Sequence, residues 1–457
     1  MNRRRLLATA GTALSLSLPL AGCSTDDAED GDPGRIDSRG HARGRESPMY
    51  TFGHASDDGQ WGVLGSFPTA ESDVASTLID LSELESPTVA HELGSANPET
   101  RSNDVKFDAL REGIYYRSQE ADGANGREGL EVIDFGWAEG TPSEPERIAR
   151  LETPNTGVHK LTTHPEEPVL YLVDLDPNVE TGLITVDVGD PAAPELVDGV
   201  GPAGGCHDLE YDPVRDVLHA AYIVGPGEGY VVYDVDDPLR PTVRSHFEYA
   251  DRPDYEAVGE PGFELCHQAH PDPERDLVIV GDEVETGVPG GKHVLDIGWG
   301  EGSLDDPEPI GFTHAPDARE MDSSEAFWWT THFHDLVHDD DEALLVDGGY
   351  RQGAWVANLT DPTNPVPTER FATVGEVDKV EALEEEVAPS TPPFAWSAVY
   401  NDEREFVLVS DSVSGAHVLE LSAEPARGDD NAGPEDHYDL EAIRSDDAAA
   451  IDSAHDR

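Results

Sequence analysis

The feature that most constrains the fold is a short pattern that occurs seven times along the chain. Each copy is a β-branched or apolar run ending in an acidic or amide residue, and successive copies are 47 to 62 residues apart. The residues that end the runs are Asp80, Asp134, Asp187, Asp234, Asp296, Asn358 and Glu420. A repeat of this length with no helical period predicts one unit of about four short strands per copy. The sequence therefore predicts an all-β, seven-bladed β-propeller of four-stranded blades, whose radial closure protects the sheet edges.

The acids that end these runs recur in nearly every unit, so we expect them to hold turns or bridge blades and not to catalyse. The segments Phe135-Gly136-Trp137 and Ile297-Gly298-Trp299 occupy equivalent places in two units, which favours a structural role. The extended segment Met49–Phe52 precedes the first unit, and we expect the two ends of the repeat region to share one blade and close the ring.

The runs at 169–188 and 217–235 resemble LVIVD repeats, which occur in secreted and surface-attached archaeal and bacterial proteins. The resemblance covers residues from about 50 to 422. It implies the propeller fold but says little about function, because propellers host many unrelated activities.

The N-terminus is typical of an export signal. Arg3-Arg4-Arg5 precedes an apolar run that is too short to span a membrane, and Leu20-Ala21-Gly22-Cys23 follows directly. This pattern resembles a twin-arginine signal ending in a lipobox, which implies cleavage before Cys23 and a lipid on its sulfur. The alternative is an ordinary signal peptide with a chance cysteine.

These patterns divide the chain into four parts and predict its location. We expect a lipoprotein signal peptide at 1–23, a disordered tether at 24–47, the propeller at 48–424 and an acidic disordered tail at 425–457. The folded part would then lie on the extracellular face of the cell membrane and touch the membrane through the lipid anchor only.

Charge limits the possible partners. The chain has 96 Asp and Glu against 29 Lys and Arg, a formal net charge of −67. The charge argues against nucleic acid and against an anionic lipid surface as partners, because their phosphates repel such a surface. An acidic, lysine-poor but foldable composition resembles that of proteins from salt-loving archaea, in which salt screens the repulsion.

A second alignment concerns histidine. When the units are aligned on their acidic ends, one upstream position holds Phe52, Asn103, His159, His207, His267, His334 and Trp396. The first strand of a propeller blade lines the central channel, so four imidazoles would converge near the axis. His332 lies two residues before His334, on the same face of a strand, and is a candidate fifth ligand or proton shuttle.

Imidazole sets of this kind suit one transition metal ion, namely zinc, iron, copper or nickel. The arrangement resembles, in geometry only, the four-histidine iron site on the propeller axis of carotenoid-cleaving oxygenases. The alternative is that duplicated histidines hydrogen-bond water or backbone without binding metal.

Two further predictions concern neighbouring residues. Cys206 and Cys266 each precede a histidine of adjacent units, and they form either a disulfide or a pair of buried thiols. Asn103, Trp396, Trp328 and Trp329 are candidate walls of a ligand pocket at the channel mouth.

Two functions therefore stay open. One is a surface-anchored binding or scaffold protein that captures an unknown extracellular ligand or protein. The other is a metal-dependent oxidoreductase or hydrolase that uses the histidine-bound metal, with Phe52, Asn103 and Trp396 leaving one side of the ion open. A purely structural metal in the channel is a third outcome.

Overall fold

The computed structural model describes residues 36–46, 48–154, 157–250, 252–255, 261–285, 287–316, 318, 326–339, 342–375 and 391–422. The predicted signal peptide and acidic tail lie outside these ranges. The described residues contain 29 strands and helix α1 (Ala326–Trp329). They include no helix with the length and apolar character needed to cross a membrane.

The strands fall into seven consecutive antiparallel units. Unit 1 contains β2 (Met49–Ala55), β3 (Trp61–Phe67), β4 (Val74–Asp80) and β5 (Thr88–Gly94). Unit 2 contains β6 (Thr100–Arg101), β7 (Val105–Phe107), β8 (Ile114–Ala121), β9 (Gly129–Asp134) and β10 (Glu146–Leu151). Unit 3 contains β11 (Lys160–Thr163), β12 (Val169–Val173), β13 (Leu183–Asp187) and β14 (Glu195–Val200).

The later units repeat this plan. Unit 4 contains β15 (Gly205–Asp212), β16 (Val217–Val224), β17 (Gly229–Asp234) and β18 (Thr242–Glu248). Unit 5 contains β19 (Cys266–Asp272), β20 (Leu277–Asp282), β21 (Lys292–Asp296) and β22 (Glu308–Thr313). Unit 6 contains β23 (Phe333–Asp339), β24 (Glu342–Gly348), β25 (Ala354–Asn358) and β26 (Val366–Phe371). Unit 7 contains β27 (Ala395–Asn401), β28 (Phe406–Asp411), β29 (Gly415–Leu421) and β1 (Ile36–Ala42).

Units 1 to 5 form small, separate sheets, as expected of a propeller-like fold. Units 1, 3, 4 and 5 are four-stranded sheets, and unit 2 has five strands because β6 and β7 both pair with β8. Units 6 and 7 belong to one eight-stranded sheet, in which the parallel pair Phe333–Ser397 joins β23 to β27.

The predicted tether needs correction in its second half. Residues 36–42 form strand β1, which pairs antiparallel with β29 from Ile36 opposite Leu421 to Ala42 opposite Ala416. The two ends of the chain therefore share a sheet, as expected, but the closing strand comes from the predicted tether. The segment Met49–Phe52 instead opens the first strand of unit 1.

The core lies between the units. Seven clusters of buried apolar side chains each draw from two consecutive units, and the series closes with a cluster from units 7 and 1. The alternating pattern along each strand explains this, because successive side chains enter the two neighbouring interfaces. Burial of these faces is the main source of stability, since the described cysteines form no cross-link.

The innermost strands are β2, β7, β11, β15, β19, β23 and β27, and each contacts the next around the ring. They begin at the same end of the ring, which we call the histidine end, and they end at what we call the far end. Strand three of each unit runs in the same direction as its inner strand, because two antiparallel pairings separate them.

Candidate functional site

Four histidines lie side by side at the histidine end and form an arc, which we call the histidine arc. Its members are His159, His207, His267 and His332. The ring centroids are 4.3 Å apart between His159 and His207, 3.8 Å between His207 and His267, and 4.6 Å between His267 and His332. All four rings are buried.

Backbone bulges determine the direction of two of these histidine side chains. In β15 the pairing with β16 passes from Cys206 to Asp208, and in β19 the pairing with β20 passes from Cys266 to Gln268. His207 and His267 are therefore the extra, unpaired residues of bulges, which turn such a side chain away from the regular alternation. Trp396 occupies the same bulge position in β27.

His334 is not a member of the arc, which corrects the predicted ligand set. Unit 6 has no bulge at this point, because Phe333 pairs with Gly348 and His334 with Asp347 without interruption. His332, just before the strand, therefore takes the position that the bulged histidine holds in units 4 and 5. His332 and His334 do not serve one site, although strand alternation predicted it.

Hydrogen bonds between neighbouring units support this alignment of His332 with the other histidines of the arc. Asp104 accepts a hydrogen bond from the amide of Leu161, Asp208 from that of Ala269, and Gln268 from that of His334. Each of the three amides lies two residues after a member of the arc. Asp208 thus bridges units 4 and 5.

The outer nitrogens of the arc have fixed partners. The Nδ1 atoms of His207 and His332 lie against the main-chain carbonyls of His267 and Trp396, and Nδ1 of His159 lies 2.7 Å from Glu120 Oε1. A carbonyl oxygen only accepts, so Nδ1 of His207 and of His332 carries the proton and donates. With the proton on Nδ1, a neutral imidazole presents the lone pair of Nε2, which is the usual state of a metal-ligating histidine.

Glu283 joins the arc from the end of β20. Its carboxylate lies 3.6 Å from Nε2 of His267 and 3.9 Å from Nε2 of His332. Ligand atoms of His267, Glu283 and His332 all lie within 4.8 Å of one another, so these three residues form a group that could hold a metal ion. Neither ring nitrogen of His267 has a hydrogen-bond partner among the described residues.

The histidines of this group are held neutral by burial. Burial lowers the pKa of His267 well below its usual value, and the His207 ring beside it lowers that pKa further. Burial also lowers the pKa of His332 well below its usual value, against the opposing effect of its bond to the Trp396 carbonyl. Neutral imidazoles are the form that binds metal ions.

His159 and His207 continue the arc. Their Nε2 atoms lie 3.0 Å apart, and the amide of Asn103 donates to Nε2 of His159 at 3.2 Å. Two nitrogens bound to one ion at about 2.0–2.1 Å each lie roughly 3 Å apart. The pair is thus spaced like two ligands of one ion, as well as like a hydrogen-bonded pair.

An aromatic cluster borders the site. Its members are Met49, Phe67, Phe327, Trp328, Tyr350, Phe394, Trp396 and Val413. Tyr350 stacks on His332 at 4.3 Å and donates to Glu283 at 2.6 Å, in a left-handed backbone conformation with φ of 43°. Trp396 and Trp328 thus pack in one cluster beside His332, and Trp329 is a partly buried residue of the same helix α1.

The two cysteines are free, buried thiols and form no disulfide. Cys206 packs in the core between units 3 and 4, whereas Cys266 packs in the core between units 4 and 5. Equivalent positions in successive units therefore place the sulfurs in different interfaces. Burial raises the pKa of each thiol well above its usual value, which makes both poor nucleophiles.

His334 lines a separate cavity of about 300 Å³ at the far end. His54, Lys106, Glu210 and His270 also line it. Lys160 lies between the two ends, with its ammonium 3.5 Å from the ring centroid of Phe52 and 4.3 Å from that of Phe333. This buried cation and the two rings occupy the middle of the channel.

Sequence reasoning missed Glu283, Glu120 and Tyr350. Glu120 and Glu283 lie on or just after the second strand of their units, where that strand returns to the histidine end. The alignment followed only the first strand of each unit. Comparing the ends of the second strands would have found two acids beside the arc.

No known family model and no curated protein matches the chain. The structure is similar to the crystal structure of a protein from Lactobacillus plantarum, with a TM-score of 0.52 and 12% identity over 77% of this chain and 89% of that one. A functionally unknown protein from Desulfotomaculum acetoxidans gives a TM-score of 0.47 and 11% identity over 76% of this chain and 88% of that one. The first similarity supports the fold alone.

Proposed function

We propose that this protein is a lipid-anchored, extracellular seven-bladed β-propeller of the LVIVD type that binds a transition metal ion in its channel. The seven sequence repeats, the seven strand units and the closed series of interfaces between them support seven blades. The N-terminal pattern ending at Cys23 supports export and anchoring.

One observation carries the metal site. Two imidazoles of the arc donate outward to main-chain carbonyls, and neither nitrogen of the buried His267 has a hydrogen-bond partner among the residues that the structure describes. A buried polar group without a partner is costly, and a metal ion would satisfy it. His267, His332 and Glu283 would hold the ion, with His207 and His159 beside them.

The donor set indicates which metals fit. Several imidazoles with one carboxylate suit zinc, iron, copper or nickel better than calcium or magnesium, which prefer oxygen ligands. Tyr350 and Glu120 would serve as the outer partners that orient a ligand carboxylate and a ligand imidazole.

Metal analysis of the full chain, purified in high salt, tests the site. We expect close to one transition metal ion per chain in the wild type, loss of that metal in His267→Ala and His332→Ala, and retention in His334→Ala. The last variant is a matched control, because His334 is equally buried and lies in the channel but outside the arc. Wild-type protein without metal would refute the proposal.

Cobalt titration supplies a second readout. Co²⁺ bound by imidazole and carboxylate absorbs visible light, so binding can be followed without any activity. If His267→Ala fails to fold, His332→Gln keeps the test available. Equal Co²⁺ spectra in the wild type and in both variants would contradict the assignment.

A second candidate function is a metal-dependent oxidoreductase or hydrolase. It is favoured by the one-sided ligand set, because at the position aligned with the arc units 1, 2 and 7 have Phe52, Asn103 and Trp396 and no histidine. A metal ion held from one side keeps positions for water or substrate. A substrate screen with metal-loaded wild type against His267→Ala tests this candidate.

The anchor is tested separately from the metal. We expect protein isolated from its native membranes to begin at a modified Cys23, as seen by mass spectrometry. The Cys23→Ser variant should appear in the medium and not in the membrane fraction. An unmodified Cys23 in membrane-bound protein would contradict the anchor.

A further inference from the structure

Two loops at the far end are longer than their equivalents. The connection from the third to the fourth strand has seven residues in units 1, 3, 4 and 6, namely 81–87, 188–194, 235–241 and 359–365. The same connection has eleven residues in units 2 and 5, at 135–145 and 297–307. Since four units close this turn with seven residues, the extra length is not required by the fold.

Both long loops are held rigidly by the acid that ends the preceding strand. The Asp134 carboxylate accepts hydrogen bonds from five consecutive amides, those of residues 136–140. Asp296 accepts from the amides of Gly298, Gly300 and Gly302 in the same way. This confirms the turn role predicted for these two acids.

Each long loop presents one tryptophan to solvent. Trp137 is 43% exposed and Trp299 is 48% exposed, and no other tryptophan of the described ranges is exposed to this extent. A large apolar ring held in solvent by a rigid, lengthened loop does not serve core packing. A tryptophan held in this way is available for contact with a surface outside the chain.

Chain direction places these loops where the chain enters the fold. The loops follow the C-terminal ends of third strands, which point away from the histidine end. Ile36 lies at the same far end, because it pairs with Leu421, the last residue of β29. Cys23 precedes Ile36 by thirteen residues, which span at most about 45 Å even when fully extended.

We propose that the far end faces the membrane and that Trp137 and Trp299 insert into the interface of the lipid bilayer. This rests on the proposed anchor at Cys23, which holds that end within reach of the bilayer, and it replaces the expectation that the protein touches the membrane through the lipid only. Tryptophan favours the membrane–water interface, because its ring is apolar and its N–H stays hydrated. The histidine end then faces away from the membrane, open to solutes outside the cell.

The acidic surface fits this contact only in salt. Glu139 and Glu301 flank the tryptophans, and the whole chain carries a formal charge of −67. At about 1 M salt the Debye length is about 3 Å, so repulsion between acidic loops and anionic lipid is nearly abolished. The bilayer contact should therefore strengthen as salt rises, the opposite of an electrostatic attachment.

Quenching by brominated lipid tests the contact. The full chain is coupled at Cys23 to a maleimide lipid, which is selective because Cys206 and Cys266 are buried, and is bound to phosphatidylcholine vesicles in about 1 M KCl. Two of the seven tryptophans should be quenched when the acyl chains are brominated, a loss of up to about a quarter of the emission. The Trp137→Ala/Trp299→Ala variant should lose this quenching.

Trp328→Ala is the matched control, since it removes a tryptophan from the histidine end and should leave the quenching in place. Equal quenching in the wild type and the double variant overturns the proposal, and so does quenching that depends on Trp328. Because the lipid is attached chemically, this result does not depend on whether cells lipidate Cys23. A failed anchor would be seen instead in the mass of Cys23 in native protein.

Discussion

A buried ion pair behind the histidine arc gives a quantitative prediction. The Lys292 ammonium lies 3.0 Å from Asp347 Oδ1, and neither side chain is exposed. Lys292 also donates to the His332 carbonyl at 2.6 Å and to Gln268 at 3.2 Å. Asp347 accepts from the His332 amide and from the Trp355 indole. The pair therefore fixes the backbone of one proposed ligand from both sides.

Asp347→Asn keeps the shape of the side chain but leaves the buried ammonium without its nearest counter-charge. Breaking a buried ion pair from one side costs about 3–5 kcal/mol, because the remaining charge is neither hydrated nor paired. Lys292→Met should cost a similar amount. In the double variant no unpaired charge is left, so its loss should be smaller than the sum of the two by at least about 2 kcal/mol.

Urea unfolding at constant KCl concentration, followed by tryptophan fluorescence and circular dichroism together, measures these free energies. Coincidence of the two signals checks that the transition is two-state. Losses that add within about 0.5 kcal/mol would refute the coupling. A cost below about 1 kcal/mol for Asp347→Asn would refute the claim that the pair is desolvated.

Three further predictions concern other parts of the fold. Burial lowers the pKa of His417 to about 3, so its contribution to stability is complete above the unfolded pKa of about 6.5 and is lost as the pH falls towards 3. Between pH 6.5 and pH 4 the free energy of unfolding should fall by roughly 3 kcal/mol less in His417→Gln than in the wild type, as measured by urea unfolding. An equal fall in both proteins would contradict this. Cys206 and Cys266 should resist a thiol reagent in native protein and both react in urea, as counted by mass spectrometry; a native disulfide would leave them unreactive in urea too. Gly40 lies in β1, the strand that closes the ring, and a Cβ at this position would overlap the main-chain carbonyl of Leu84. Gly40→Val should therefore lower the urea midpoint, and an unchanged midpoint would show that β1 does not hold the ring.

Much of the fold could be predicted because the repeat carries its own periodicity. The predicted run ending in Asp134 is strand β9, and the run ending in Asp296 is strand β21. The closing strand could not be predicted in the same way. Residues 36–42 contain a glycine and four polar or charged side chains, so their composition resembles a linker. They form a strand because the edge of β29 offers unpaired backbone groups.

The site was predictable in part, for a physical reason. His159, His207 and His267 were found because sequence spacing follows strand order, which the repeat conserves within one chain. His334 was misplaced by two residues, because the hydrogen bonds between units match His332, and not His334, to His267. The tertiary contacts that fix this register leave no signal in residue spacing.

The pairing of β1 with β29 makes the fold sensitive to whether the chain is whole. Strand β1 is synthesised nearly four hundred residues before its partner β29, and until then it keeps an unpaired edge. Such a long-range contact forms late in folding, and it stabilises only a chain that already includes β29. A prematurely ended chain would keep β1 unpaired and exposed to proteases and aggregation, so the geometry of the last sheet acts as a check on the completeness of synthesis.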